Sequence, residues 1–173
     1  IQQYTEYIYN KNNGSNILSL EKLDRRGNKN LEFLKIEAHV NKQIQKNNFS
    51  VKRNQSISFA INIKINKSIN FASLRVGLKS QNTNEIIFSS PEHNLNIASI
   101  NKDIFLCELF LEPTLLLPGK YPLYILIAAF NTCIDVIDDP LFTLTILKDG
   151  NKDIYLGDGR GYRSIDSKIK INI

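Results

Sequence analysis

The groups in this sequence that could carry out chemistry are few, and each can be weighed on its spacing. A serine or cysteine nucleophile needs a base beside it and a third group to orient that base. The chain has two histidines, His39 and His93, and neither lies in such a signature. His39 falls in phase with Lys35 and Glu37 on the polar side of its segment, and His93 falls in "SSPEHNL", which reads as a loop. Both are read as exposed structural histidines. No Cys-x-x-Cys and no histidine pair at helical spacing occurs, so no zinc site is expected. Asp135, Asp138 and Asp139 in "CIDVIDDPLF" have the carboxylates for calcium or for an acid pair, but lack the alternating oxygen ligands and the glycine of a calcium loop. They read as a solvated turn in which Asp139-Pro140 ends one strand and launches the next. The glycines of "GDGRGYRS", residues 157–164, have no βαβ unit around them and read as a turn-rich loop, and no phosphate-binding GxxxxGK[ST] loop occurs. The expectation is a chain with no catalytic residue, no metal and no cofactor.

The elements that would position any recognition site are strands. From Leu31 onward apolar residues recur with period two, rich in β-branched and aromatic types and broken by short turns. "LEFLKIEAHV" places Leu34, Ile36, Ala38 and Val40 on one face. "SISFAINIKI" places Ile57, Phe59, Ile61, Ile63 and Ile65 inward. "FASLRVGLKS" turns Leu74, Val76 and Leu78 inward and leaves Ser73, Arg75, Gly77 and Lys79 outward. "NEIIFSS", "DIFLCELFLE", "YPLYILIAAF", "PLFTLTIL" and "SKIKINI" continue the series, which predicts an all-β, immunoglobulin-like antiparallel β-sandwich of about seven to eight strands. The stretch "YPLYILIAAF" is apolar on both faces. With Tyr121, Leu123, Ile125 and Ile127 in the core, Tyr124, Leu126, Ala128 and Phe130 face the other way, toward a loop, a dimer partner or a ligand that stacks on the two rings.

The chain of 173 residues is long enough for one domain with its own core. It contains no methionine and opens on Ile1, which leads to the expectation of a piece of a longer or processed protein. Residues 1–30 combine weak helical spacing with "NKNNGSN" and read as a linker from a missing upstream domain, with the sandwich occupying 31–173. The net charge of +5 is spread among asparagines without a dense basic run, so nucleic acid is not an expected partner. Cys107 and Cys133 sit in apolar contexts that suit two free buried thiols or a bridge between neighbouring strands. No membrane span and no signal-peptide pattern is seen, and the piece is expected to be soluble.

The order of motifs carries a family resemblance. "RRGNKNLEFLKIEAHV", then "NFSVKRNQSISFAINIKI" with Arg53-Asn54 where a Gly-Glu turn is usual, then "FASLRVGLKSQNTNEIIFSS", "LLLPGKYPLYILIAAF" and "DPLFTLTIL" follow one another over residues 25–147. In that order they resemble the carboxy-terminal domain of Wzt, the ATPase subunit of ABC transporters that export O-antigen and related polysaccharides. The resemblance implies an immunoglobulin-like sandwich that binds the exported glycan, usually as a homodimer. It further implies a place at the cytoplasmic face of the bacterial inner membrane, with contact to the transmembrane permease through an upstream nucleotide-binding domain. Sugars are held by aromatic faces and by amide, acidic or basic groups. The candidates by phase are therefore Arg75, Lys79, Tyr124 and Phe130, with Asn82, Asn94 and Asn131 from nearby turns. Two other classes compete: a structural assembly sandwich with no sugar site, and a polysaccharide lyase using Arg75 and His93.

Overall fold

The structure, a computed structural model, describes residue 20 and residues 25–52, 55–112, 116–138, 141–147, 163–164 and 167–172. Among the described residues thirteen strands form two sheets that share one core, and no α-helix occurs. The strands are β1 (Leu31–Val40), β2 (Gln43–Ile44), β3 (Asn48–Val51), β4 (Ile57–Ile65), β5 (Phe71–Lys79), β6 (Ile86–Ser89), β7 (His93–Asn96), β8 (Ile104–Leu111), β9 (Gly119–Ala129), β10 (Thr132–Ile137), β11 (Thr143–Ile146), β12 (Arg163–Ser164) and β13 (Ser167–Asn172). The chain is an all-β sandwich, as expected. The strand number exceeds seven or eight because β2, β3, β7 and β12 are pieces of two to four residues, and because β10 runs through the stretch expected to be a turn.

The smaller sheet runs β13-β8-β4-β1-β2. The larger is built on the β5–β9 pair, with β7 and β6 along the far side of β5 and β10 and β11 along the far side of β9. Pairing is antiparallel except for β11 with β3 and β12 with β6. Period two holds where it is clearest. Ile57, Phe59, Ile61 and Ile63 of β4, Leu74, Val76 and Leu78 of β5, and Leu123, Ile125 and Ile127 of β9 are all buried between the sheets. One strand departs from the expected phase. Register shifts between Phe33 and Lys35, so Leu31 and Phe33 point into the core ahead of Leu34, and Ile36, Ala38 and Val40 resume inward after it. Leu34 is the extra residue of a β-bulge, and that is why it is only partly buried.

The "PGKY" stretch has a mechanical role. Tyr121 donates its phenolic proton to the Leu117 carbonyl at 2.7 Å, four residues upstream, in the manner of a tyrosine corner. Gly119 keeps that loop tight, since a Cβ there would lie 3.3 Å from the Tyr121 hydroxyl oxygen. The start of β9 is thereby fixed, and with it the phase of every residue on both its faces.

Candidate recognition face

Two charged clusters flank β10, one inside the sandwich and one outside. The inner one begins with the segment Arg25–Asn30, which lies along the free edge of β10. Asn28 and Lys29 donate backbone protons to the Cys133 and Ile134 carbonyls at 3.4 and 2.9 Å, and Val136 donates to the Arg26 carbonyl at 3.1 Å. Gly27 permits this approach. It has φ +125, and a Cβ would fall 2.2 Å from the Ile134 carbonyl oxygen, so no other residue fits without displacing backbone. Register shifts between Cys133 and Asp135, and this bulge turns Asp135 toward the core side opposite Ile127. Asp135 is fully buried. Its carboxylate accepts from Arg25 Nη1 at 2.5 Å and from the Phe33 backbone N–H at 2.8 Å, and pairs with Lys29. Arg25 also reaches Glu32 at 3.3 Å. The expected solvated turn is thus corrected for Asp135, which ties the larger sheet to the bulged start of β1. Five residues assigned to the linker by sequence, Arg25, Arg26, Asn28, Lys29 and Asn30, are hydrogen bonded into the sandwich.

The outer cluster lies on the far face of the larger sheet. Register lines up Asn94, Ser73, Ala128 and Cys133 in one row across β7, β5, β9 and β10, then Arg75, Leu126 and Val136 in the next, then Ser89, Gly77 and Tyr124 in the third. Gly77 leaves room for the tyrosine ring: a Cβ there would be 3.4 Å from Tyr124 Cδ1 and 3.2 Å from Ile86 Cγ2. Lys79 Nζ stands 5.7 Å from the Tyr124 ring centre, within cation–π range. The same ammonium pairs with Asp138 and lies 3.4 Å from Asn84 Oδ1. Asp138 also accepts from Arg26 at 2.7 Å. Burial pushes the Tyr124 phenol up from its ordinary value, Asp138 and Cys133 add to the rise, and Arg26 and Arg75 oppose it.

Three of the sequence candidates, Arg75, Lys79 and Tyr124, therefore lie together, with Asn94 on the same face two rows away. Arg75 is half-exposed and paired with Glu92. Lys79 differs from the outward, free lysine expected: it is buried, its side chain only 6% exposed, because a bulge at the β5–β6 pairing and the Asp138 carboxylate draw it in. Asn82 sits in the turn between β5 and β6, its backbone N–H 3.3 Å from Ser80 Oγ, at the end of the sheet opposite the β9–β10 hairpin. Asn131 and Phe130 are the two residues of that hairpin, with φ of +62 and +46, as a type I′ turn requires. Phe130 is thus corrected from a strand-face residue to a turn residue, 90% exposed. At about 3.3 Å per residue it stands roughly 20 Å along β9 from Tyr124, so the two rings form no common stacking surface. Sequence reading overlooked Phe71, which is 54% exposed and which the β5–β9 register, continued by one same-face position, places level with Phe130.

Neither histidine has both a hydroxyl or thiol and a third group that orients its ring among the described residues. His93 lies in β7 rather than a loop, with Nε2 2.7 Å from Ser167 Oγ, and burial lowers its pKa. His39 buries Nε2 without a partner. Arg75 is committed to Glu92, which leaves no pairing of Arg75 with His93 in the structure. Cys107 and Cys133 are free thiols on different sheets. No group of three or more metal-ligating side chains occurs among the described residues. The glycine run lies outside the described residues except Arg163 and Ser164, which form β12.

This architecture of two packed sheets has a counterpart among solved structures. The chain matches the crystal structure of the C-terminal domain of Wzt with a TM-score of 0.57 and 17% identity, over 74% of this chain and 80% of that one. At that identity the likeness is one of fold, and it is the fold implied by the motif order. No protein-family model matches the sequence, and no curated protein matches it.

Proposed function

We propose that the chain is the glycan-recognising domain of a polysaccharide-export ATP-binding subunit, and that it holds an O-antigen-like polysaccharide without altering it. In this reading it acts as a homodimer at the cytoplasmic face of the bacterial inner membrane. An upstream ATP-binding domain, joined through residues 1–30, connects it to the permease. The observation that carries the reading is the outer face of the larger sheet. There a half-buried tyrosine ring is bordered by Arg75, Lys79 and Asp138, with Asn94 farther along the same face, which is the mixture of ring face and hydrogen-bonding groups that sugars use. The Wzt-like fold and the motif order support it.

The test is calorimetric titration of this chain with polysaccharides from the source organism's surface, with molar mass followed by light scattering in the same buffer. Saturable binding is expected, and Tyr124→Ala is expected to weaken it by about two- to tenfold while the mass stays unchanged. Loss of the dimer in Tyr124→Ala would reassign the face to subunit contact. A dimer indifferent to every glycan would favour the assembly sandwich, a reading to which the exposed Phe71 and Phe130 give some physical basis.

A further inference from the structure

Asp138 touches both the segment Arg25–Asn30 and the outer-face cluster through its side chain. One carboxylate oxygen accepts from Arg26 and the other from Lys79. Arg26 is held by its backbone, and apart from Asp138 its side chain stands in water. Its carbonyl accepts from Val136 at 3.1 Å and lies 3.8 Å from Cys133 Sγ, while its side chain is 74% exposed. A guanidinium so exposed gains little stability from an ion pair, so its reach to Asp138 calls for another account. Lys79 is in the converse position. Its ammonium is buried and relies on Asp138, with Asn84 offering only a long amide contact. Whatever fixes Asp138 therefore fixes where the Lys79 charge stands over the Tyr124 ring.

We propose that Arg26 is a positioning residue for the outer face: through the shared Asp138 carboxylate it sets Lys79 against Tyr124, and so links the segment leading into the domain with the recognition face. The linkage is reciprocal, because a contact that alters Lys79 or Asp138 must alter the hold on Arg26 by the same free energy. Only the glycan arm of the test rests on the function proposed above.

The reporter is Tyr124, which faces Asp138, Cys133, Arg26, Arg75 and Lys79. Its ionisation is followed in the full chain by NMR of tyrosine labelled at the ring carbon bearing oxygen, with Tyr124→Phe to assign the signal. Arg26→Ala is expected to move the midpoint to higher pH, Asp138→Asn to lower pH, and Arg26→Lys to restore the original value. The deciding step is a double-mutant cycle. In the Asp138→Asn background, the Arg26→Ala shift should shrink to the direct effect of the Arg26 charge on the phenol. A shift of equal size in both backgrounds, or none in either, overturns the proposal, because Arg26 would then act directly or not at all. Arg26 is exposed enough that the alanine variant should fold normally.

In the glycan titration, Arg26→Ala should weaken binding by about two- to fivefold, the range an exposed ion pair supports. Unchanged affinity in that variant counts against the linkage. If the unaltered chain binds no glycan, the recognition reading fails, while the ionisation cycle still decides the positioning role by itself.

Discussion

Asp135 and Asp138 stand three positions apart at the end of one strand, and each pairs with an arginine of the same incoming segment. Their surroundings are opposite. Asp135 is fully buried, with two cations and a backbone N–H on its carboxylate; the Asp138 side chain is 38% exposed and shared between a buried lysine and an exposed arginine. Their odd spacing puts them on opposite faces, and the bulge after Cys133 sets which of the two turns inward. The difference teaches that an ion pair's importance here follows from what its loss would strand. Removing Asp135 leaves Arg25 in a closed interior with only Glu32 in reach, whereas removing Asp138 leaves Arg26 in water and only Lys79 in need.

The largest effect that would break this comparison is therefore at Asp135. Asp135→Ala should cost about 3–5 kcal/mol, as expected when one member of a buried ionic group is removed. Against a total stability of about 5–15 kcal/mol, that is enough to unfold a substantial fraction of the molecules. Urea unfolding followed by circular dichroism would measure it. Asp138→Ala should cost about 1–3 kcal/mol, less than Asp135→Ala because Arg26 is already solvated and only the buried Lys79 ammonium loses its partner. Equal losses at the two positions would dismiss burial as the deciding variable.

The cysteines repeat the contrast between inside and outside. Cys107 lies in the core, and burial together with the neighbouring Glu108 carboxylate pushes its thiol up to about 12; Cys133 is only partly buried. A folded-state value above the ordinary thiol value of 9.0 means the native chain holds that proton more tightly than the unfolded one. The stability this gives is complete below the ordinary value and is lost as pH rises through about 12. Unfolding midpoints should thus fall between neutral pH and pH about 10 in the unaltered chain, and fall less in Cys107→Ala. At neutral pH a thiol reagent should modify Cys133 first.

How far the sequence foretold these regions depended on whether local pattern or distant contact decided them. Period two exposed the core faces of β4, β5 and β9 residue by residue, because side-chain alternation is a local property. The same rule failed at Leu34, where a bulge changes the phase without any Gly or Pro to announce it, and Asp135, read as part of a solvated turn, follows a second bulge into the core. Arg25 and Asp135 are 110 positions apart, so nothing in either neighbourhood shows the pairing. What hints existed were an Arg-x-Gly motif and one acid inside the apolar run "CIDVI". Lys79 was placed on the correct face but with the wrong freedom, since its burial depends on Asp138, from another part of the chain.

Phe130 carries the smallest expected effect. The two positions of a type I′ turn require positive φ, which favours Asn and Gly and is disfavoured by a bulky side chain. Asn131 fits that preference, whereas Phe130 does not, and with 90% of its surface in water it gains almost nothing from packing. Phe130→Asn should therefore stabilise the fold, by about 0.5–1 kcal/mol, visible as a small rise in the urea midpoint. If glycan affinity or dimer mass falls in the same variant, the strained, exposed ring is kept for contact, and the recognition surface extends from Tyr124 toward this hairpin. If both are unchanged, the outer cluster around Asp138 is the whole of the site, and the hairpin serves only to join β9 to β10.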